Sequence, residues 1–135
     1  MFQFSVTPGA KTDIRGLASS DRDAAALVVV TFQELQGNQV LLDTLTIHDH
    51  DDVLPLSGHP YNVKHVWEQY KKGKNLWRLK VMDSDKTLQP YRVIYGYSTG
   101  EQKYYVLGVV PRGHSYDSSH PTFRRILEEY SEYCE

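Results

Sequence analysis

Between Asn75 and Tyr130 the chain reads NLWRLKV, PYRVIYGYS, KYYVLGVVPRGHSYDSSHP and TFRRILEEY. The first two runs alternate apolar and polar residues, the pattern of strands that bury one face. In Leu76 to Met82, Trp77, Leu79 and Val81 share a face, and Arg78 and Lys80 lie on the other. In Tyr91 to Tyr97, Tyr91, Val93, Tyr95 and Tyr97 share a face and Arg92 points the opposite way. Tyr104 to Val110 is apolar on both sides, as an interior strand is. Pro111 ends it, because proline has no N–H for the ladder. Asp83 to Pro90 and Gly100 supply the turns. Phe123, Ile126, Leu127 and Tyr130 recur at i, i+3, i+4 and i+7, a helix stripe that packs on the sheet. Ser118 or Ser119 is positioned to cap that helix, with Pro121 in its first turn.

The N-terminal half is less sharply patterned. Phe2 to Val6 alternates and ends at Pro8-Gly9, which predicts a first strand. Ile14 and Leu17 suit one face of a short helix over Ala10 to Ala18. Ser19, Ser20 and Asp21 offer cap oxygens for a longer helix with Ala24, Leu27, Val28 and Leu35 inward, stopped by Gly37. Its β-branched Val28-Val29-Val30-Thr31 also suits a strand. Val40 to Ile47 reads equally as a strand or a helical turn. The acidic HDHDD run, His48 to Asp52, carries imidazole and carboxylate ligands, but no spaced partner cluster accompanies it, so no metal site is expected. From His59-Pro60 to Gly73 a further helix is predicted, with Val63, Val66, Trp67 and Tyr70 as its buried stripe and Lys71 and Lys72 at its C-terminal end. Together these elements predict an α+β fold: a small antiparallel sheet with N-terminal helices and a C-terminal helix. The 135 residues suit one domain over 1–135, with an acidic loop and extra helix at about 48–72.

Composition narrows the setting. No apolar run approaches the ~20 residues of a membrane span, and MFQFSVTPGAKTD lacks the basic start of a signal peptide. The single Cys134 excludes an internal disulfide framework. A cytoplasmic location is therefore expected. The net charge of −2 conceals segregation. Residues 1–60 carry three Lys/Arg and eight Asp/Glu, residues 61–125 carry twelve and five, and the last ten carry four Glu and no cation. A basic middle is the electrostatic footprint of a polyanion partner.

The residue types in that middle fit one chemistry. Cleaving RNA through its own 2′-hydroxyl needs a base for that hydroxyl, cations for the charge gathering on phosphorus, and an acid for the leaving 5′-oxygen. The guanidinium fork supplies the second. Histidine, with a pKa near ~6.5, supplies the first or third. Arg92, Arg112, His114, Tyr116 and His120 are the candidate catalytic residues. Arg78, Lys80, Lys71, Lys72 and Lys74 are the candidate RNA contacts. Neither a metal nor a small-molecule cofactor is expected.

The segment LWRLKV…YRVIYGYS…YYVLGVVPRG…HPTFRRIL resembles the RelE/ParE superfamily of toxins from bacterial toxin–antitoxin pairs, over roughly residues 63–130. The resemblance implies a small α+β domain and, in the RelE-like branch, cleavage of mRNA in the ribosomal A site. It implies that Arg92 of YRVIY contacts phosphate and that Arg112 stabilises the transition state. Arg78 and Lys80 match basic positions of the LWxLR strand. The tyrosine that many members place after the second arginine has no exact counterpart: Tyr116 is close, and the aligned position falls near Ser118. His114 or His120 is left to take the acid or base role. The implied partners are a cognate antitoxin, the ribosome and mRNA, with no membrane. An acidic balance is unusual for a ribosome-directed toxin. Two alternatives therefore stand beside the nuclease: a ParE-like toxin acting on a protein such as DNA gyrase, and a non-catalytic binding module on the same fold.

Overall fold

A computed structural model describes residues 2–46, 61–82, 88–111 and 119–135. The alternating runs become β3 (Leu76–Met82), β4 (Leu88–Ser98) and β5 (Lys103–Pro111), joined as an antiparallel meander. Before them come β1 (Gln3–Val6), α1 (Pro8–Ser20), α2 (Arg22–Gln36), α3 (Gln39–Asp43), β2 (Tyr61–His65) and the single turn α4 (Trp67–Tyr70); α5 (Pro121–Cys134) follows them. The five strands form one sheet in the order β1-β5-β4-β3-β2. The fold is α+β, as the pattern predicts, but the sheet is mixed, because β1 runs parallel to β5.

β1 covers only Lys103 to Val106 of β5 before the chain turns into α1. Thr7 caps α1 through its hydroxyl, with Pro8 in the first turn, where a missing N–H costs nothing. Asp13 on α1 then serves the uncovered edge: its Oδ2 accepts from Val109 N at 3.0 Å. The same carboxylate holds Arg125 of α5 at 2.9 Å through both oxygens. Arg125 also donates to the Leu107 carbonyl. One ion pair thus ties the first helix, the β5 edge and the last helix together. The carboxylate holds the guanidinium in its charged form and raises its pKa.

Helices cover both sheet faces. Ala24, Val28, Phe32 and Leu35 of α2 meet Trp77, Leu79, Val93, Tyr95 and Val106 on one. Phe123, Ile126 and Tyr130 of α5 meet Leu76, Ile94, Leu107 and Val110 on the other. The alternation in β5 changes phase at a bulge, where Tyr95 pairs with Val106 but Ile94 with Gly108. Tyr104 and Val106 therefore share a face with Val109, while Tyr105 and Leu107 share one with Val110. Gly108 lies under α5, and a Cβ there would stand 2.7 Å from Ile126 Cδ1.

Three expectations are corrected. The helix predicted over 60–72 is a strand and one helical turn. Tyr61–His65 pairs with Trp77–Val81, which gives hydrogen-bond partners to an edge of β3 that a helix at this place would leave open. Its supposed stripe splits accordingly. Val63 and Val66 are buried, but Trp67 is 59% and Tyr70 47% exposed. The N-cap of α5 is His120, not Ser118 or Ser119, and it makes no side-chain capping bond. Of the stretch that reads as strand or helical turn, the part up to Asp43 belongs to α3, capped by Asn38, and Ile47 lies outside the described residues. The HDHDD run lies outside the described residues.

Candidate functional site

Register places the predicted cations. Lys64 faces Arg78 across β2 and β3, and Lys80 faces Arg92 across β3 and β4. Directly paired residues share a sheet face, and so do residues two apart in a strand. Lys64, Arg78, Lys80 and Arg92 therefore line one face, the face that carries Leu76 and Ile94 and receives α5. A helix about 10 Å across covers about two strands spaced ~4.8 Å apart. α5 packs on β4 and β5, and the cationic row runs beside it from β2 across β3 to Arg92 on β4.

The row is graded in depth. Lys64 and Arg78 are half-buried, whereas Lys80 is 6% and Arg92 5% exposed. Of the candidate RNA contacts on the sheet, Arg78 is thus half-buried and Lys80 buried, and the candidate catalytic Arg92 is buried beside it. Directly opposed like charges destabilise a sheet pair, and charge removed from water must be met by oxygen ligands. One such ligand is the Tyr91 carbonyl, which accepts from Arg92 Nη1 at 3.0 Å. Arg92 also stands level with Val110, and Tyr91 with Pro111, the last residue of β5. The buried cation pair thus sits at the strand end from which the chain continues to Arg112.

The remaining candidates fall into three groups. Arg112, His114 and Tyr116 lie outside the described residues. His120 is exposed at the start of α5. Lys71, Lys72 and Lys74 are grouped around the turn after α4, away from the buried pair. Leu76 pairs with Gly96 at that end and Lys80 with Arg92 at the other, a span of four residues or about 13 Å. Lys71 bridges Glu68 at 3.5 Å, and Lys74 bridges Glu135 at 2.7 Å while lying over the Tyr130 ring. The structure therefore joins Arg78, Lys80 and Arg92 and separates them from the three lysines.

Sequence reasoning missed Lys64 as a member of the row, because a helical reading of 60–72 scatters it from Arg78. It also placed Trp67 and Tyr70 in the core. Strand alternation of Tyr61–His65 was the one available signal, and the coincident i, i+3, i+4 spacing masked it.

On the opposite face a cavity of about 260 Å³ opens between α1 and the end of β5, lined by Asp13, Asp21, Tyr91 and Pro111 among others. Both acids are already used, Asp13 by Arg125 and Asp21 as the α2 cap. Burial pushes the Tyr91 hydroxyl up to about 12, with the Asp21 charge adding to it, and the group donates to the Ala24 carbonyl. Its lining among the described residues includes none of the cations an oxyanion requires. Among the described residues no group of three or more His, Cys, Asp or Glu side chains is arranged to hold a metal ion. No described helix is long and apolar enough to cross a membrane. No family model, curated protein or solved structure matches the chain.

Proposed function

We propose that this protein is an endoribonuclease toxin of a toxin–antitoxin pair that cleaves mRNA on the ribosome, in the cytoplasm. The observation that carries the reading is the register-paired row Lys64–Arg78 and Lys80–Arg92, which leads to the strand end followed in sequence by Arg112 and His114. The half-buried Lys64 and Arg78 are the members of the row exposed enough to meet a phosphodiester, and a rigid sheet fixes their position, the preorganisation that makes such cations effective. In the proposed reaction the 2′-hydroxyl loses its proton to a base and attacks the adjacent phosphorus. The bond to the 5′-oxygen breaks, that oxygen takes a proton from an acid, and a 2′,3′-cyclic phosphate remains. Arg92 and Arg112 hold the phosphate oxygens as charge gathers. His114, Tyr116 and His120 are the candidates for the two proton transfers. A cognate antitoxin would cover the basic face with an acidic or amphipathic segment.

Induced expression in bacteria, with primer extension on a reporter mRNA, tests this. The expected result is growth arrest with translation-dependent cuts. Arg92→Ala and Arg112→Ala should each reduce cutting by about 10²–10³-fold. Arrest with intact mRNA would overturn the nuclease reading.

The depth of Lys80 and Arg92 favours a second reading. Side chains at 6% and 5% exposure are poorly placed to meet a polymer backbone directly. A ParE-like toxin that binds a protein such as DNA gyrase, or a binding module without catalysis, would use the exposed surface and leave the buried cations structural. Full toxicity of Arg112→Ala would favour the first of these, and lack of arrest by soluble protein the second.

A further inference from the structure

Four aromatic rings run in contact from the core to the solvent where β2 passes into α4. Trp77 is buried on β3, and its indole Nε1 donates to Asn75 Oδ1 at 2.6 Å. The His65 ring lies on Trp77 with centroids 4.0 Å apart, and the Tyr70 ring lies on His65 at 3.8 Å. Trp67 follows 5.8 Å from Tyr70, with the two planes 26° apart. At 59% and 47% exposure, Trp67 and Tyr70 forgo much of the burial that makes large aromatic rings stabilising. The stack beneath them is fixed by the core, so a flat ring added to it orders little else.

The surroundings select the occupant. The segment around the rings is polar: Glu68 precedes Tyr70, and Lys71, Lys72 and Lys74 follow it. Lys71 Nζ stands 5.9 Å from the Trp67 ring centre. Its bridge to Glu68 joins side chains 52% and 66% exposed, so it yields readily to a phosphate. A concavity of about 260 Å³, lined by Tyr70, Gly73, Lys74 and Asn75, adjoins the rings. Gly73 turns the chain there at φ +80°, a conformation that other residues adopt only with strain. Exposed rings beside flexible cations meet the two needs of an unpaired strand: any base has a face to stack, and each phosphate needs a positive charge.

We infer that Trp67 and Tyr70, with Lys71 and Lys72, form a stacking shelf for one or two unpaired bases of an RNA strand. The choice of RNA as ligand rests on the proposed function; the geometry of the shelf does not.

The test uses a 5′-fluorescein 2′-O-methyl oligouridylate of about ten nucleotides, within the usual site sizes for single strands. It cannot be cleaved through its 2′ position, so binding is read apart from chemistry. Wild-type protein should bind it with quenching of the exposed Trp67, one of two tryptophans in the chain. Trp67→Ala should weaken binding about tenfold or more, and Trp67→Phe should retain most of it. Lys72→Ala should lower the salt dependence of binding by about one phosphate contact. Equal affinity of wild type and Trp67→Ala, both folded by circular dichroism, would overturn the shelf. So would the absence of any binding, which would leave the rings to a protein partner. Binding that depends on Trp67 in a protein that causes no growth arrest would uphold the shelf and sink the nuclease. Arrest with Arg92-dependent cutting but no Trp67 effect on binding would do the reverse.

Discussion

The two faces of the sheet are made from the same strands and differ in what covers them. On one, α1 and α2 meet an almost wholly apolar set, and two of the tyrosines there turn their hydroxyls to carbonyls, Tyr91 to Ala24 and Tyr95 to Leu45. On the other, among the described residues, α5 packs on β4 and β5, and the cationic row runs from Lys64 on β2 through Arg78 and Lys80 on β3 to Arg92 on β4. Alternation lets adjacent residues of one strand serve opposite ends: Leu79 is 1% exposed in the first core, while Arg78 beside it belongs to the row. The lesson is a division of labour. The apolar core is largest where two helices close the sheet, and the strand cations are gathered on the face that α5 packs against.

Substitutions on adjacent β3 residues give the widest separation. Leu79→Ala should cost about 2–5 kcal/mol in urea unfolding. Arg78→Ala should cost under about 1 kcal/mol. Comparable losses at the two positions would break the division.

The Asp13–Arg125 pair joins the two faces around the β5 edge, with side chains 15% and 31% exposed. Asp13→Ala removes the acceptor of the Val109 N–H and leaves Arg125 with Glu129, at 3.7 Å, as its carboxylate partner. A loss of about 2–3 kcal/mol is expected, below that of a fully buried pair because the guanidinium keeps some water. A double-mutant cycle with Arg125→Ala should return a coupling above about 0.5 kcal/mol; additivity would show that the tie does not exist.

Glycine substitutions sharpen the same contrast at closer range. Gly108→Ala puts a methyl group 2.7 Å from Ile126 Cδ1 and 3.1 Å from Asp13 Oδ2, so about 1–3 kcal/mol should be lost as α5 shifts. Gly100→Ala has nothing within 4 Å of the new carbon and should change stability by about 0.5 kcal/mol or less.

The smallest effect concerns pH. Burial, with Glu101 and Glu135 nearby, pushes the Cys134 thiol from 9.0 up to about 12. Tyr91 on the other face rises from 10.0 to about 12, chiefly by burial. Both groups hold their protons longer folded than unfolded. Their contribution is thus complete below pH 9 and falls as pH rises through about 12. Folded protein should react slowly with a thiol reagent at pH 8 and rapidly once unfolded. Equal rates would place Cys134 in water and remove the asymmetry.

Wherever residues had a strong period of their own, the strands and helices could be read from the sequence. β3 and β4 follow from alternation, β5 from an apolar run ended by Pro111, and α5 from the Phe123, Ile126 and Tyr130 stripe, and Asp21 and Gly37 bound α2 as expected. The region 60–72 failed because a five-residue strand and a one-turn helix carry too few residues to reveal a period. β2 exists because the edge of β3 supplies hydrogen bonds, and that partner lies more than ten residues away in the chain. The same limit governed the site. Which residues are cationic, and that Arg78, Lys80 and Arg92 share one face, follows from composition and the two-residue strand period. That Lys64 joins them was decided by pairing register, and the burial of Lys80 and Arg92 and the exposure of Trp67 and Tyr70 were decided by tertiary packing. Side-chain period is a local property of the chain, whereas register and coverage depend on which distant segments meet.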